Sequence, residues 1–484
     1  GFTLLEVLIA IAIFSVISMA SFSIFETVLN SDTVTKERTD RINELQRGFL
    51  IIERDMLQIA RRSVRLNGEA PQTGFLHTDT ESYTTSEQAI AFVRHGWTNP
   101  GLLLPRSDMQ SVAYQLNENT VERVHFNFVD AVLGEEPKVR PLISKVENLS
   151  FEFYDGKKWQ KTRQGDNLPQ AIAIELETKD YGIIRRQFIV AGDSSQDEDD
   201  WYAMGAEAFA KRVLIQSFEA DAEVTHLGQV WAQGENTFPV DFGEITGEIT
   251  DLNSCFNLNA LKVSEDDSSS GIGNAAKKSP ARTAFEELLI AISIEGVGNF
   301  EAEYMADALT DWLDADGSIS SSGGAEDSDY AAKEFPYLAA NNYIASIAEL
   351  RVIEHFSVDV IEKLKDFACV LPNTNMNKIN INTIAQDQPE ILVAMLGISQ
   401  NEASQALSSR GEEGFKNIDE FFTLPELSEA KITPEQKQLF SVKSEYFNLR
   451  TTASFNNSYF ALNTIMKVDD KNNISVISRI IGRE

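Results

Sequence analysis

From Phe2 to Phe25 the chain is almost wholly apolar, GFTLLEVLIAIAIFSVISMASFSIF from Gly1, and one acid, Glu6, interrupts it. The run has about the length of one bilayer-spanning helix. Beyond it Leu45, Phe49, Ile52, Met56 and Ile59 recur at alternating steps of four and three, which marks one face of an α-helix. This spacing predicts that the anchor continues as a long amphipathic helix packed on a sheet, one unit over residues 1–65. The basic cluster Arg61, Arg62 and Arg65 suits the C-terminus of that helix, where cations are favoured.

The period then changes. QAIAFVRHG, VERVHFNFVD, VENLSFEFYDGKKW, LPQAIAIELET and GIIRRQFIVAG alternate or run apolar in strand-length pieces. They predict an antiparallel β-domain over 66–193, with a hairpin turn at Asp155–Gly156. An acidic linker follows at 194–200. A second unit opens with the helical WYAMGAEAFAKRVLIQSF and the strand-like FPVDFGEITGEITDLNSCFNLNAL, covering 201–282. Residues 283–440 read as mainly helical, and 441–484 return to strands. A helical block between strand segments predicts an insertion into a second β-containing domain.

The bulk numbers narrow the class of protein. At 484 residues the chain exceeds one ordinary domain, and 43% hydrophobic content is enough for sizeable cores. A net charge of −32 argues against duplex nucleic acid, whose binding rests on cations that neutralise phosphates. The only two cysteines, Cys255 and Cys369, are expected to form a disulfide in an oxidising compartment and to stay as buried thiols in a reducing one; the N-terminal anchor favours the first.

Glu6 is unusual for a plain anchor. An acid at the centre of a membrane helix costs roughly 2.5–3.5 kcal/mol, so it either reaches the interface or pairs with a cation. The stretch Gly1, Phe2, Thr3, Leu4, Leu5, Glu6, Val7 resembles the N-terminal motif of type IV pilins and type II secretion pseudopilins. The resemblance implies prepilin peptidase cleavage between Gly1 and Phe2, N-methylation of Phe2, and pairing of Glu6 with a neighbouring subunit's amine. IERDMLQIARRSVR, LSFEFYDGKKWQ and LPQAIAIELE resemble minor pseudopilin J over residues 1–192. WYAMGAEA, CFNLNAL, LTDWLDADG with GGAEDSDY, IASIAELR and KININTIAQDQPEILVAML resemble minor pseudopilin K from Trp201 onward. K-type subunits carry their own cleavable hydrophobic helix, and here an acidic linker stands in its place. The chain thus resembles a J subunit joined to a K subunit that lacks its anchor.

The densest acidic stretch, DWLDADGSISSSGGAEDSDY, holds Asp311, Asp314, Asp316, Glu326, Asp327 and Asp329 without a base between them. By composition alone it is either a solvated acidic loop or a calcium loop. The register excludes an EF-hand, because Gly317 at loop position six puts Trp312 at position one. Resemblance to K-type subunits implies calcium, with Asp314, Asp316, Glu326 and Asp327 as ligands, Asp311 left on the preceding helix and Asp329 exposed. EGVGNFEAEYMADAL and LGISQNEASQALSSR resemble helix-hairpin-helix pieces, but the acidic balance points to protein packing rather than DNA. No HExxH, GxSxG or phosphate loop occurs, so an enzyme is not expected.

The expected fold is α+β: a pilin-like helix and antiparallel β-domain, linked to a second pilin-like domain with a large helical insertion. The expected function is that of a minor pseudopilin of the type II secretion pseudopilus tip, initiating or capping the filament for export of folded proteins. The resemblance implies I-, H- and G-type pseudopilins, the inner-membrane platform and prepilin peptidase as partners. It also implies a single-pass inner-membrane anchor with periplasmic domains. A membrane-tethered, calcium-dependent binding protein outside any filament is the alternative.

Overall fold

A computed structural model describes residues 3–65, 68–78, 89–162, 166–191, 205–240, 243–262, 278–455 and 458–482. Gly1, Phe2 and the linker at 194–200 lie outside them. Helix α1 spans Leu4–Leu57, 54 residues, and so extends about 80 Å at 1.5 Å per residue. Thr3 starts it: the Glu6 carboxylate accepts from Thr3 N at 2.8 Å, and Thr3 Oγ1 accepts from Glu6 N. From Leu4 to Asp40 every residue is exposed. This is the one helix among the described residues long and apolar enough to cross a membrane. Packing begins at Arg41, and Leu45, Phe49, Ile52 and Met56 bury the expected stripe.

The helix stops at Leu57, short of the expected residue 65. The backbone that follows is taken by a sheet edge. Ala60 N donates to Val93 O at 2.8 Å, and His95 N donates to Gln58 O at 2.9 Å. Ile59 bridges Arg94, and Ile59 and Ala60 are fully buried. A sheet edge offers partners to groups that a helix end would leave to caps or water. Arg61, Arg62 and Arg65 are therefore not a helix C-terminal cluster.

Strands β1 (Leu76–His77), β2 (Ala89–Arg94), β3 (Gln110–Asn117), β4 (Thr120–His125) and β5 (Lys138–Ile143) form one antiparallel sheet in that order. A second sheet runs in the order β7-β6-β8-β9, from β6 (Val146–Tyr154), β7 (Trp159–Gln160), β8 (Ala171–Thr178) and β9 (Gly182–Ile189). The Asp155–Gly156 turn joins β6 to β7, with Tyr154 opposite Trp159 and Gly156 at φ +91°, a conformation that favours glycine. The α1 stripe shares one core with Phe92, Tyr114, Phe151, Ile172 and Ile174 from both sheets. Buried Asp55 ties the helix to the first sheet, accepting from Arg123 Nε at 2.6 Å and Tyr114 Oη at 2.8 Å.

The second unit begins with α2 (Gly205–Ala220). Its antiparallel sheet runs β10 (Asn236–Val240), β11 (Gly243–Asp251), β16 (Tyr446–Phe455), β17 (Ser458–Val468), β18 (Ile474–Gly482). Since β11 pairs directly with β16, everything between Leu252 and Glu445 is an insertion. It starts earlier than the expected Thr283. The CFNLNAL segment belongs to it, because Phe256, Leu258 and Leu261 bury against Phe285 and Trp312. The insertion holds α3 (Pro280–Ala291), α4 (Asn299–Leu313), α5 (Asp327–Ala331) and further short helices. Two parallel pairs tie its ends: β12 (Phe256–Asn257) with β13 (Ala368–Cys369), and β14 (Ile379–Asn380) with β15 (Phe440–Ser441). Cys255 and Cys369 are disulfide-bonded at the first pair.

Candidate functional site

The segment that leaves α1 is where the two units meet. Edge strand β18 offers unpaired backbone groups on its outer side, and the first unit covers them. Gln58 Oε1 accepts from Ile481 N at 2.9 Å, and Arg61 Nε donates to Ile477 O at 3.1 Å. Gly96 permits the approach: with φ +78°, a Cβ there would fall 2.0 Å from Gln58 Oε1 and 2.9 Å from Ile481 O. Next along the chain, Arg62 is buried with both of its acids. Its Nη2 donates to Asp130 Oδ2 at 2.6 Å, and its Nε donates to Glu349 Oε2 of the second unit at 2.9 Å. Ala345 N donates to the other Glu349 oxygen at 2.7 Å, and Arg65 N donates to Asp130 Oδ1 at 2.8 Å. The carboxylates thus have the added hydrogen bonds that a buried pair requires.

The second unit also holds an acidic pocket. Carboxylate oxygens of Asp311, Asp314 and Glu326 lie within 4.8 Å of one another. Asp311 and Glu326 are buried, and Asp314 is partly buried. α4 supplies Asp311, its C-terminal boundary supplies Asp314, and the residue before α5 supplies Glu326. Two glycines let the loop return onto α4: a Cβ on Gly324 would sit 2.0 Å from Asp311 Oδ2, and one on Gly323 would sit 2.5 Å from Tyr304 Cα.

Asp311 Oδ2 and both Glu326 oxygens are buried without a hydrogen-bond partner. Burial, then the charges of Asp316 and Asp311, push Asp314 up to about 7. Burial, then Asp314 and Asp311, push Glu326 up to about 8, and burial also raises Asp311. Three carboxylates cannot all ionise in such a space without a cation. An oxygen-only donor set with unused lone pairs fits a hard divalent ion such as Ca²⁺.

Of the four ligands expected from sequence, the structure brings together Asp314 and Glu326. Asp316 is exposed, and its carboxylate accepts from Ser318 N at 2.8 Å. Both Asp327 oxygens face Arg65 of the first unit, at 2.7 and 2.8 Å. Asp311, expected to stay on its helix, does lie on α4 but faces the pocket. Its spacing of three from Asp314 was the available signal, because such residues share a helix face. Asp329 caps α5 by accepting from Glu326 N at 3.0 Å. Glu6 lies in the first turn of α1, beside Thr3.

A membrane-length exposed helix on a β-domain, with a second sheet domain docked at its far end, defines the class of pilin-like membrane-anchored assembly subunits. The N-terminal 1–22 matches the prokaryotic N-terminal methylation motif. Residues 23–190 match type II secretion system protein J, and 254–373 and 379–443 match protein K. Protein K of Aeromonas hydrophila is 36% identical over 284 residues, 58% of this chain and 84% of that protein. Protein J of Vibrio cholerae is 38% identical over 195 residues, 40% of this chain and 88% of that protein. A chain of the crystal structure of the GspK–GspI–GspJ complex from enterotoxigenic Escherichia coli aligns with TM-score 0.51 and 30% identity, covering 59% of this chain and 95% of that one. The chain belongs to the minor pseudopilins of type II secretion, a J subunit continued into a K subunit. The alternative of a tether outside any filament has no support among these relatives.

Proposed function

We propose that the chain is the tip of the pseudopilus, initiating or capping the filament that drives export of folded proteins across the outer membrane. The single observation that carries this is the position of the K unit. It docks on residues 58–65, just beyond the end of α1 and about 80 Å from the start of that helix. The exposed Leu4–Asp40 stretch is free to enter a helical bundle below, while the bulky insertion closes the top. The anchor lies in the bacterial inner membrane, both units are periplasmic, and prepilin peptidase cuts before Phe2. I-type pseudopilin is the nearest partner, on the strength of the complex formed by the E. coli relatives. H- and G-type subunits and the inner-membrane platform follow from the same role. The chain's work is structural rather than enzymatic. Ca²⁺ is held by Asp311, Asp314 and Glu326 and neutralises the pocket.

Gold labelling of an epitope in the K unit on isolated filaments tests the tip position. Label at one end of each filament is the expected result. Label along the filament length overturns the proposal.

A further inference from the structure

The cation pocket belongs to the K unit, yet a side chain of the J unit grips both stems of its loop. Residues 314–326 connect α4 to α5 and carry two of the three converging carboxylates, Asp314 at the start and Glu326 at the end. Arg65 reaches the end stem directly: Nη1 and Nη2 donate to the two oxygens of Asp327, the residue next to Glu326, at 2.7 and 2.8 Å. It reaches the start stem through one relay. Arg65 Nη1 donates to Asn341 Oδ1 at 3.1 Å, and Asn341 Nδ2 donates to the carbonyl of Asp316 at 2.5 Å.

The guanidinium is itself fixed from its own side. Arg65 Nε donates to Glu69 O at 2.9 Å, and Arg65 N donates to buried Asp130. Ala339 completes the frame, with its carbonyl on Arg65 and its N–H on Asp327 Oδ1 at 3.1 Å.

We propose that Arg65 is a positioning residue of the cation site, clamping the loop stems so that Asp314 and Glu326 converge on the ion. This rests on the cation reading above and adds its control by the J unit. A fixed cation near the site would by itself oppose a second one, but the forked contact with Asp327 neutralises that charge locally. What remains is preorganisation: the loop no longer loses its freedom when the ion binds. Outer-shell contacts of this kind are worth about 10–100-fold in metal affinity. Linkage makes the effect reciprocal, so an ion in the pocket also strengthens the docking of the two units.

The test is calorimetric titration of CaCl₂ into the full chain in detergent. Arg65→Gln is expected to bind Ca²⁺ about tenfold more weakly than wild type. Asp327→Asn, which breaks only the tie to the end stem at nearly constant shape, is also expected to bind Ca²⁺ more weakly than wild type. The double variant should lose no more than Arg65→Gln alone, because the tie to Asp327 runs through Arg65. Arg351→Gln, which cuts another contact between the units at Leu102 O (2.9 Å), should leave the affinity unchanged. Arg65→Lys should also bind weakly, since one ammonium cannot hold both stems. Wild-type affinity in Arg65→Gln or in Arg65→Lys overturns the clamp while leaving the cation site standing. Absence of Ca²⁺ binding by the wild-type chain overturns the cation reading and the clamp together.

Discussion

Arg62 and Glu349 meet at 2.9 Å across the junction of the J and K units, and both are almost completely buried. With Asp130 at 2.6 Å they form a charged triad in which Glu349 reaches its cation only if the units are docked. Removing one member of such a group leaves an uncompensated buried charge, at about 3–5 kcal/mol. Arg62→Met is therefore expected to uncouple the units and split the urea unfolding of the full chain into two transitions. A single cooperative transition at the wild-type midpoint would show the triad to be dispensable.

Calcium should stabilise the K unit by mass action, because only the folded pocket gathers the three carboxylates. Millimolar Ca²⁺ is expected to raise the melting temperature more than equal Mg²⁺, which sheds water reluctantly. Asp314→Asn with Glu326→Gln should melt higher than wild type without Ca²⁺, since the repulsion is gone, and should lose the calcium response. A wild-type response in that double variant would move the site elsewhere.

The Cys255–Cys369 bridge closes a loop of 114 residues around the first half of the insertion. Its loss should cost about 2–5 kcal/mol. Cys255→Ser with Cys369→Ser is expected to lower the denaturation midpoint of the K unit and leave that of the J unit alone. Peptide mass spectrometry of exported, unreduced protein should find the two cysteines joined. Free thiols in that sample would refute the assignment.

Asp251 sits where the insertion leaves the K sheet, accepting from Asn253 N at 2.7 Å and from the Thr383 and Ser444 hydroxyls at 2.5 Å each. Burial pushes it up to about 6 against those hydrogen bonds, from an ordinary 3.8. The folded state thus holds the proton more tightly than the unfolded chain does. The resulting stability is fully present below about pH 4 and is lost as pH rises through about 6, a span of about 3 kcal/mol. Asp251→Asn cannot titrate. Urea titrations at pH 4 and pH 7 should find wild type losing stability relative to this variant over that interval, and the opposite slope would refute the argument.

Glu6 caps its own helix through Thr3 in the single chain. The filament role proposed above would bring a neighbouring subunit's N-terminal amine to that carboxylate. Glu6→Val should still insert into membranes, being more apolar, and should fail to support filament assembly and secretion. Wild-type secretion by the variant would leave Glu6 as a cap and nothing more.

Much of this architecture was legible along the chain because its cause is local. The apolar run and the Leu45–Met56 stripe specify one helix by spacing alone. The Phe-rich alternation around Asp155–Gly156 specifies a hairpin because only certain residues accept that turn. The acidic loop was equally visible, since a string of carboxylates without a base announces itself by composition.

Tertiary structure decided the rest. The helix ends at Leu57 because Ile59 and Ala60 find partners on β2, thirty-odd residues away in sequence. The insertion starts at Leu252 because β11 pairs with β16, a register that no local pattern encodes. Asp311 joins the pocket, and Asp327 leaves it, for reasons that lie outside the loop: two glycines that press it onto α4, and an arginine 262 residues upstream. Periodicity reports how a segment meets water and its own backbone. Which buried charge meets which is settled only when the folded chain brings distant segments within hydrogen-bond reach, where each must find a partner or forfeit its solvation.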